Sequence, residues 1–206
     1  MKDCARLLLA LLIILFVYFA ILCIVEQRCC AAAPDWCVEV EVRENRNIAY
    51  GSGTLVTPKH VITNWHVVRD RSEEEIKINF PNGTTRVGEV LQQNRKWDVA
   101  VIEIPIGKVK PARIGFVPPN GARVTIHGYG PGRYRAVTGT LSSVLPSPDR
   151  KMEPGLRFVD KAIARQGDSG GAVTYKGAYI GTIIGAQTDT LFVNVNRVNT
   201  LFQLRK

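Results

Sequence analysis

The sequence predicts an all-β fold, and three features of it do so. Eighteen Gly and 11 Pro punctuate the chain at short intervals, which favours many short extended runs over long helices. Those runs are rich in β-branched residues, and Val38, Val40 and Val42 alternate with Glu39, Glu41 and Arg43 in the period-2 pattern of a half-buried strand. Hydrophobic residues at 46% and charged residues at 22% are proportions that can build a packed core with one apolar segment to spare.

That spare segment comes first. Leu7 to Val25 is nineteen residues without a charge, and at about 1.5 Å per residue it reaches roughly 28 Å, close to the thickness of a bilayer core. It is longer than the apolar core of a cleaved secretory signal, about 7–15 residues, and Pro34 hinders cleavage at the small residues Ala31–Ala33. Residues 1–28 therefore read as an uncleaved signal anchor in preference to a signal peptide, with residues 7–25 as the transmembrane helix. Lys2 and Arg6 put its N-terminus in the cytoplasm and the folded part outside. The domain is expected to be membrane-anchored and extracytoplasmic, or secreted if the segment is cleaved.

Residues 29–35 read as a linker and a single domain as residues 36–206. All five cysteines, Cys4, Cys23, Cys29, Cys30 and Cys37, lie at or before its start, so no disulfide staples the domain. No Cys/His spacing resembles a zinc site, and no metal or other cofactor is expected. The net charge is +9, of which residues 1–28 contribute +1, leaving +8 for the remainder. The basic residues are scattered without interleaved aromatics, which argues against nucleic-acid binding and for solubility or steering.

Within the domain, Val38–Val42 begins the strands and Glu44–Asn47 turns the chain. Ile48–Val56 follows, where Gly51-Ser52-Gly53 suggests a bulge or a close backbone approach. Val61–Thr63, Ile76–Phe80, Thr85–Gln92 and the apolar run after Asp98 continue the series, with Pro81-Asn82-Gly83 as a hairpin turn. Further runs lie near Arg123–Tyr129, Tyr134–Val144, Leu156–Val159, Gly171–Tyr175, Ala178–Ile184 and Thr190–Val195, with Gly177 turning the chain before the fifth. Val198–Leu204 has Val198, Leu201 and Phe202 on one face, the mark of a short terminal helix.

Gln166-Gly167-Asp168-Ser169-Gly170-Gly171 is the stretch with chemical content. Glycines so dense suit a tight turn with unusual dihedrals, which can aim successive N–H groups at one point and hold the Ser169 hydroxyl clear. A nucleophile needs a base. His66 follows the β-branched run Val61–Thr63 and is placed to project from a strand end, whereas His60 lies in a polar turn and His127 in a strand entering a Gly-rich bend, which reads as structural. Asp98 opens an apolar strand, where an acid can be buried enough to orient an imidazole; Asp70, Glu75 and Asp160 lie in more polar surroundings.

Taken together, Gly51-Ser52-Gly53-Thr54-Leu55-Val56, Val61-Ile62-Thr63-Asn64-Trp65-His66-Val67-Val68, Asp98-Val99-Ala100-Val101 and Gly167-Asp168-Ser169-Gly170-Gly171 resemble a trypsin-like (chymotrypsin-fold) serine protease. The Thr-Asn-Trp-His-Val-Val wording is closest to the bacterial HtrA-like branch, and the separations of 32 residues from His66 to Asp98 and 71 from Asp98 to Ser169 suit a compact member. The resemblance implies two six-stranded antiparallel β-barrels, about 36–110 and 120–197, with a catalytic triad of His66, Asp98 and Ser169 in the cleft between them. It further implies an oxyanion hole from Gly167 and Ser169 with help from Asp168. The substrate pocket it implies is formed by Ile163, Ala164, Ile184, Gly185 and Ala186, with Ile184–Gln187 pairing with an extended substrate.

The expected activity is that of a serine endopeptidase acting on polypeptides. With no acid near Ile163, cleavage after Arg or Lys is not expected, and a small or medium apolar residue is favoured. The chain departs from the resemblance in two ways: no Ile-Val-Gly-Gly segment follows a basic residue to pair with Asp168, and no PDZ domain is expected after the second barrel. A catalytically silent, membrane-tethered binding module is the alternative, against which the complete triad speaks. An esterase is disfavoured because no Gly-x-Ser-x-Gly elbow is present in a strand-turn-helix context.

Overall fold

Alternation along the first strand decides how the first sheet closes. The computed structural model describes residues 13–18, 32–44, 47–69, 75–142, 155–160, 162–186 and 190–203, and the chain divides into two compact units, Met1–Ala32 and Ala33–Lys206. In the first unit, α1 spans residues 13–18; the remainder of the expected transmembrane helix over 7–25 lies outside the described residues. Among the described residues no helix is long and apolar enough to cross a membrane.

The second unit holds two closed barrels of six antiparallel strands each. The first is β1 (Cys37–Glu44), β2 (Asn47–Thr57), β3 (His60–Thr63), β4 (Ile76–Asn79), β5 (Thr85–Asn94) and β6 (Val99–Glu103), in the order β1-β2-β3-β6-β5-β4. β4 closes the ring on β1, with Val40 opposite Ile78. Val38, Val40 and Val42 fill its interior with Leu55, Val61, Ile78, Ala100 and Ile102, as the alternation requires. The second barrel is β7 (Arg123–Gly128), β8 (Arg135–Ser142), β9 (Leu156–Asp160), β10 (Ala172–Tyr175), β11 (Ala178–Ala186) and β12 (Thr190–Asn194), in the order β10-β11-β12-β9-β8-β7. Val124, Ile126, Leu141, Val159, Ile180 and Phe192 fill it.

The apolar run Val99–Ile102 has two destinations. Ala100 and Ile102 enter the first barrel, while Val99 and Val101 face a third core with Val56, Ile62, Ala172, Tyr179 and Val193, which joins the barrels. The terminal helix α3 (Val195–Phe202) adds Val195 and Val198 to this junction. It starts three residues earlier than the sequence pattern suggested, because the Asn194 side chain accepts from Arg197 N at 3.1 Å and caps it there. A second short helix, α2 (Trp65–Val68), follows β3 and carries His66.

The glycines of β2 do not mark a bulge, since the β1 pairing runs unbroken from Cys37–Thr54 to Glu44–Asn47. They mark close approach: a Cβ at Gly51 would lie 2.8 Å from a Val67 methyl and 3.3 Å from Ser169 O.

Candidate active site

His66 sits in the first turn of α2, a helix too short to satisfy its own N–H groups. One of those groups, His66 N, donates to Asp98 Oδ1 at 2.8 Å, while His66 Nδ1 meets Asp98 Oδ2 at 2.6 Å. A single carboxylate thus fixes both the backbone and the ring of the histidine. The His66 side chain remains 38% exposed, so the ring keeps a solvent-facing edge.

Asp98 does not open β6 as the sequence suggested. It ends the preceding turn in the left-handed region, at φ 50°, a conformation that Asp tolerates better than most residues but that still costs on the order of 1 kcal/mol. The turn is held by Trp97 N donating to Asn94 Oδ1 at 3.1 Å, and Asn64 Nδ2 donates to Asp98 O at 2.7 Å. Asn64 stands at the N-cap of α2 yet caps nothing. Its amide holds the catalytic candidate instead, a role that reading Asn64 as a motif letter did not reveal.

Ser169 lies in the loop before β10, between Gly167 at φ +91° and Gly170 at φ +86°. At Gly170 a Cβ would fall 2.1 Å from Ser52 O, so only glycine fits there. Asp168 N donates to Arg165 O at 3.0 Å, Gly170 N to Ile183 O at 3.0 Å and Gly171 N to Asp168 O at 2.9 Å. Asp168 N is therefore engaged, and the help expected of it toward an oxyanion is not on offer in this arrangement. Among the described residues, the N–H groups of Gly167 and Ser169 have no partner. The Ser169 hydroxyl donates to Ile184 O at 3.3 Å, and among the described residues no hydrogen bond joins it to His66.

Two halves of the site meet on Ser52. Its N–H donates to Ser169 O at 2.7 Å, its hydroxyl donates to Gly167 O at 2.7 Å and accepts from Tyr129 N at 2.8 Å, and its carbonyl accepts from Thr63 Oγ1 at 2.8 Å. The Gly51-Ser52-Gly53 motif pointed at this stretch, but its function as the tie between barrels was not legible.

Asp168 has a partner after all. Its side chain is 1% exposed; Oδ2 accepts from Arg135 Nε at 2.8 Å and Nη2 at 2.7 Å and from Arg165 N at 2.7 Å, and Oδ1 accepts from Gly130 N at 2.9 Å. Arg135 Nη2 also donates to Ile163 O. One guanidinium thereby pins the acid before Ser169 and the chain at Ile163 together.

Ile163 itself is 53% exposed, while Ala164 is buried. Ala164 N donates to Thr190 Oγ1 at 2.8 Å, and Thr190 Oγ1 donates to Ala162 O. Thr190 is the β12 partner of Ala186, so it joins the Ala162–Ala164 segment to the end of β11. Ile184 is half-buried, and at Gly185 nothing lies within 4 Å of where a Cβ would stand. β10 pairs with β11 only as far as Thr182, and the Gly170 and Gly171 bonds take up Ile183, so the same edge of Ile184–Ala186 runs on past them.

The remaining histidines are accounted for. His60 begins β3 rather than a solvated turn, with Nδ1 2.9 Å from Thr57 Oγ1, and burial together with the neighbouring Lys59 charge lowers its pKa. His127 is buried between Tyr134 Oη at 2.8 Å and Thr174 Oγ1 at 2.9 Å, edge-on to Trp36, and burial brings its imidazole down to about 4. Among the described residues no group of His, Cys, Asp and Glu could hold a metal ion.

A family profile described as "Trypsin-like peptidase domain" matches residues 51–181. The chain is 28% identical over 153 residues to the serine protease Rv3671c of Mycobacterium tuberculosis (strain ATCC 25618 / H37Rv), an alignment covering 70% of this chain and 38% of that protein. The chain thus spans well under half the length of the curated relative it matches. Among solved structures, the active form of the Rv3671c protease superposes with a TM-score of 0.71 at 22% identity, covering 84% of this chain and 81% of that one. A serine endoprotease from Yersinia pestis gives 0.73 at 20% identity, covering 84% and 63%. The HtrA-type protease AlgW with a tripeptide gives 0.71 at 18% identity, covering 84% and 60%.

Proposed function

The chain belongs to the trypsin-like peptidase family, and we propose that it is a serine endopeptidase that cleaves polypeptides through His66, Asp98 and Ser169. The observation that carries this reading is the double engagement of His66 by Asp98, at 2.8 Å on the backbone and 2.6 Å on the ring. That arrangement puts the Nδ1 proton toward the carboxylate and leaves Nε2 with a lone pair, the tautomer a general base needs. The Ser169 hydroxyl leaves Ile184 O by rotation about one bond between staggered wells and gives its proton to His66 Nε2 as Oγ attacks the scissile carbonyl. Asp98 stabilises the imidazolium so formed. The developing oxyanion faces the N–H groups of Gly167 and Ser169.

His66 then passes the proton to the leaving amine, and an ester on Ser169 remains. Water, deprotonated by His66, hydrolyses that ester and restores the serine. On the acyl side, an extended substrate adds as a strand along Ile184–Ala186, Gln187 of the expected stretch lying outside the described residues. Its residue before the cut meets Ile163, Ala164, Ile184, Gly185 and Ala186, which favour a small or medium apolar side chain. Residues 7–25 tether the domain outside the cytoplasm, a reading supported by nineteen uncharged residues behind Lys2 and Arg6.

A fluorophosphonate probe tests both parts. It should label the wild type, and Ser169→Ala should abolish labelling; Ser169-independent labelling, or none of the folded protein, refutes the enzyme. In fractionated cells the label should sediment with membranes, and label wholly in the supernatant refutes the tether.

A further inference from the structure

A cleft of about 810 Å³ opens beside the oxyanion loop. Glu39 and Glu41 of β1, Tyr50 of β2, Tyr129, Gln166 and Gly167 line it. It shares Gly167 with the oxyanion loop but none of Ile163, Ala164, Ile184 or Gly185. If the acyl half of a substrate lies along β11, the cleft is left for the segment beyond the scissile bond. Such a use of the cleft rests on the endopeptidase role of His66, Asp98 and Ser169.

The register of β1 and β2 gives the cleft its geometry. Glu39 stands opposite Ser52 and Glu41 opposite Tyr50, all on the outer face, since Val38, Val40 and Val42 point into the barrel. Ser52 touches the oxyanion loop through Gly167 O. Tyr50 and Glu41 are one same-face step further, about 7 Å along the strand. An extended leaving segment that passes the loop meets them with its second residue.

The chemistry of this wall runs against the rest of the molecule. The chain carries +9, yet two carboxylates face the cleft. Of the groups packed around them, Asn79 donates an amide to Glu39 Oε2 at 3.3 Å. Arg43, itself 49% exposed, comes only within 3.7 Å of Glu41. Lys77, opposite Glu41 on β4, pairs with Glu75 at 3.4 Å. Among the described residues Glu39 therefore has no cation beside it, and Glu41 has only the long pair to the half-exposed Arg43. Tyr50 at 51% and Ile48 at 42% exposure supply an apolar rim on which a long methylene stem can lie.

We propose that this cleft is a specificity subsite for the leaving segment, taking a Lys or Arg side chain at the second residue after the cut. The cation sits between Glu39 and Glu41 and the stem lies on Tyr50 and Ile48. The preference before the cut and the preference after it are thus of opposite character, apolar on one side and basic on the other.

The test uses peptides with one acyl half and Arg, Ala or Glu as the second leaving residue, with cleavage followed by mass spectrometry. Partly exposed charge pairs support a kcat/KM for Arg about three- to tenfold above that for Glu, with Ala between them. The spread should shrink in 1 M salt, where the Debye length is about 3 Å. In Glu39→Gln/Glu41→Gln it should collapse to within about twofold, while the fluorophosphonate labelling rate stays at the wild-type value. A wild type indifferent to the residue, or preferring Glu, overturns the subsite, as does a preference for Arg that survives in the double variant. Because labelling needs no leaving segment, a labelled enzyme without the preference refutes the subsite alone. Absent Ser169-dependent labelling refutes the catalytic reading and the subsite with it.

Discussion

Replacing Arg135 by Met keeps most of the stem volume and removes every guanidinium bond. Asp168, 1% exposed, then loses the donors at 2.8 and 2.7 Å and its only nearby cation among the described residues, and keeps Arg165 N at 2.7 Å and Gly130 N at 2.9 Å. Stripping one partner from a buried ion pair costs about 3–5 kcal/mol. The two retained N–H bonds put this case at the lower end, about 3 kcal/mol. Asp168 lies between Gly167 and Ser169, and Arg135 also holds Ile163 O, so the loop can relieve the cost by moving while the barrels stay folded. At 1.36 kcal/mol per tenfold, we expect kcat/KM and the fluorophosphonate labelling rate to fall about 10²-fold. Arg135→Lys should recover part of that loss, because a charge returns without the two-pronged geometry. The assay is active-site labelling beside thermal unfolding. Arg135→Met with full labelling and an unchanged Tm would refute the reasoning, and a lowered Tm with wild-type kcat/KM per labelled site would reduce Arg135 to a merely structural residue.

Two further perturbations probe the supports of the site. Gly51→Ala places a methyl 2.8 Å from Val67 on α2 and 3.3 Å from Ser169 O, so it should wedge His66 from the nucleophile, at about 1–3 kcal/mol in stability and at least tenfold in kcat/KM. Val67→Ala in the same chain should restore part of both, and no such rescue counts against a steric cause. His127 binds its proton at about 4 in the folded protein against 6.5 when free, so the unfolded chain takes up more protons between those values. Stability should therefore be full above about pH 6.5 and fall by about 3 kcal/mol as the pH drops toward 4. His127→Gln should flatten Tm against pH in that window, and an unaltered slope would show that another group sets it.

The strands were legible because burial writes itself into their period. Val38, Val40 and Val42 gave away an interior, and the run Val99–Ile102 gave away a strand covered on both faces. The three catalytic candidates were legible because Gly and β-branched residues fence them so distinctively. What stayed hidden was non-local. Arg135 is one of 27 basic residues, and it finds Asp168 only because β8 lies beside β7, which lies beside β10. Thr190 looked like any strand threonine until β12 paired with the end of β11. The left-handed turn at Asp98 was hidden as well, since its support comes from Asn64, 34 residues upstream.

Ser52 shows why two barrels need more than their shared apolar core to make one site. Hydrophobic contact between Val99, Val101, Tyr179 and Val193 favours closure but is non-directional, and it tolerates sliding. Catalysis does not, since a misplacement of 1 Å costs about 10²-fold. The directional restraint comes from polar bonds at the seam. Ser52 N fixes Ser169, Ser52 Oγ fixes Gly167 and Tyr129, and Thr63, one residue before the Asn64 that holds Asp98, fixes Ser52 O. Any relative slip of the barrels must break at once the three Ser52 bonds that cross to Ser169, Gly167 and Tyr129, and each group left without a partner costs up to about 1–3 kcal/mol. The three candidate residues are thus held by a seam of backbone and hydroxyl bonds, with the apolar core supplying the adhesion and Ser52 supplying the register.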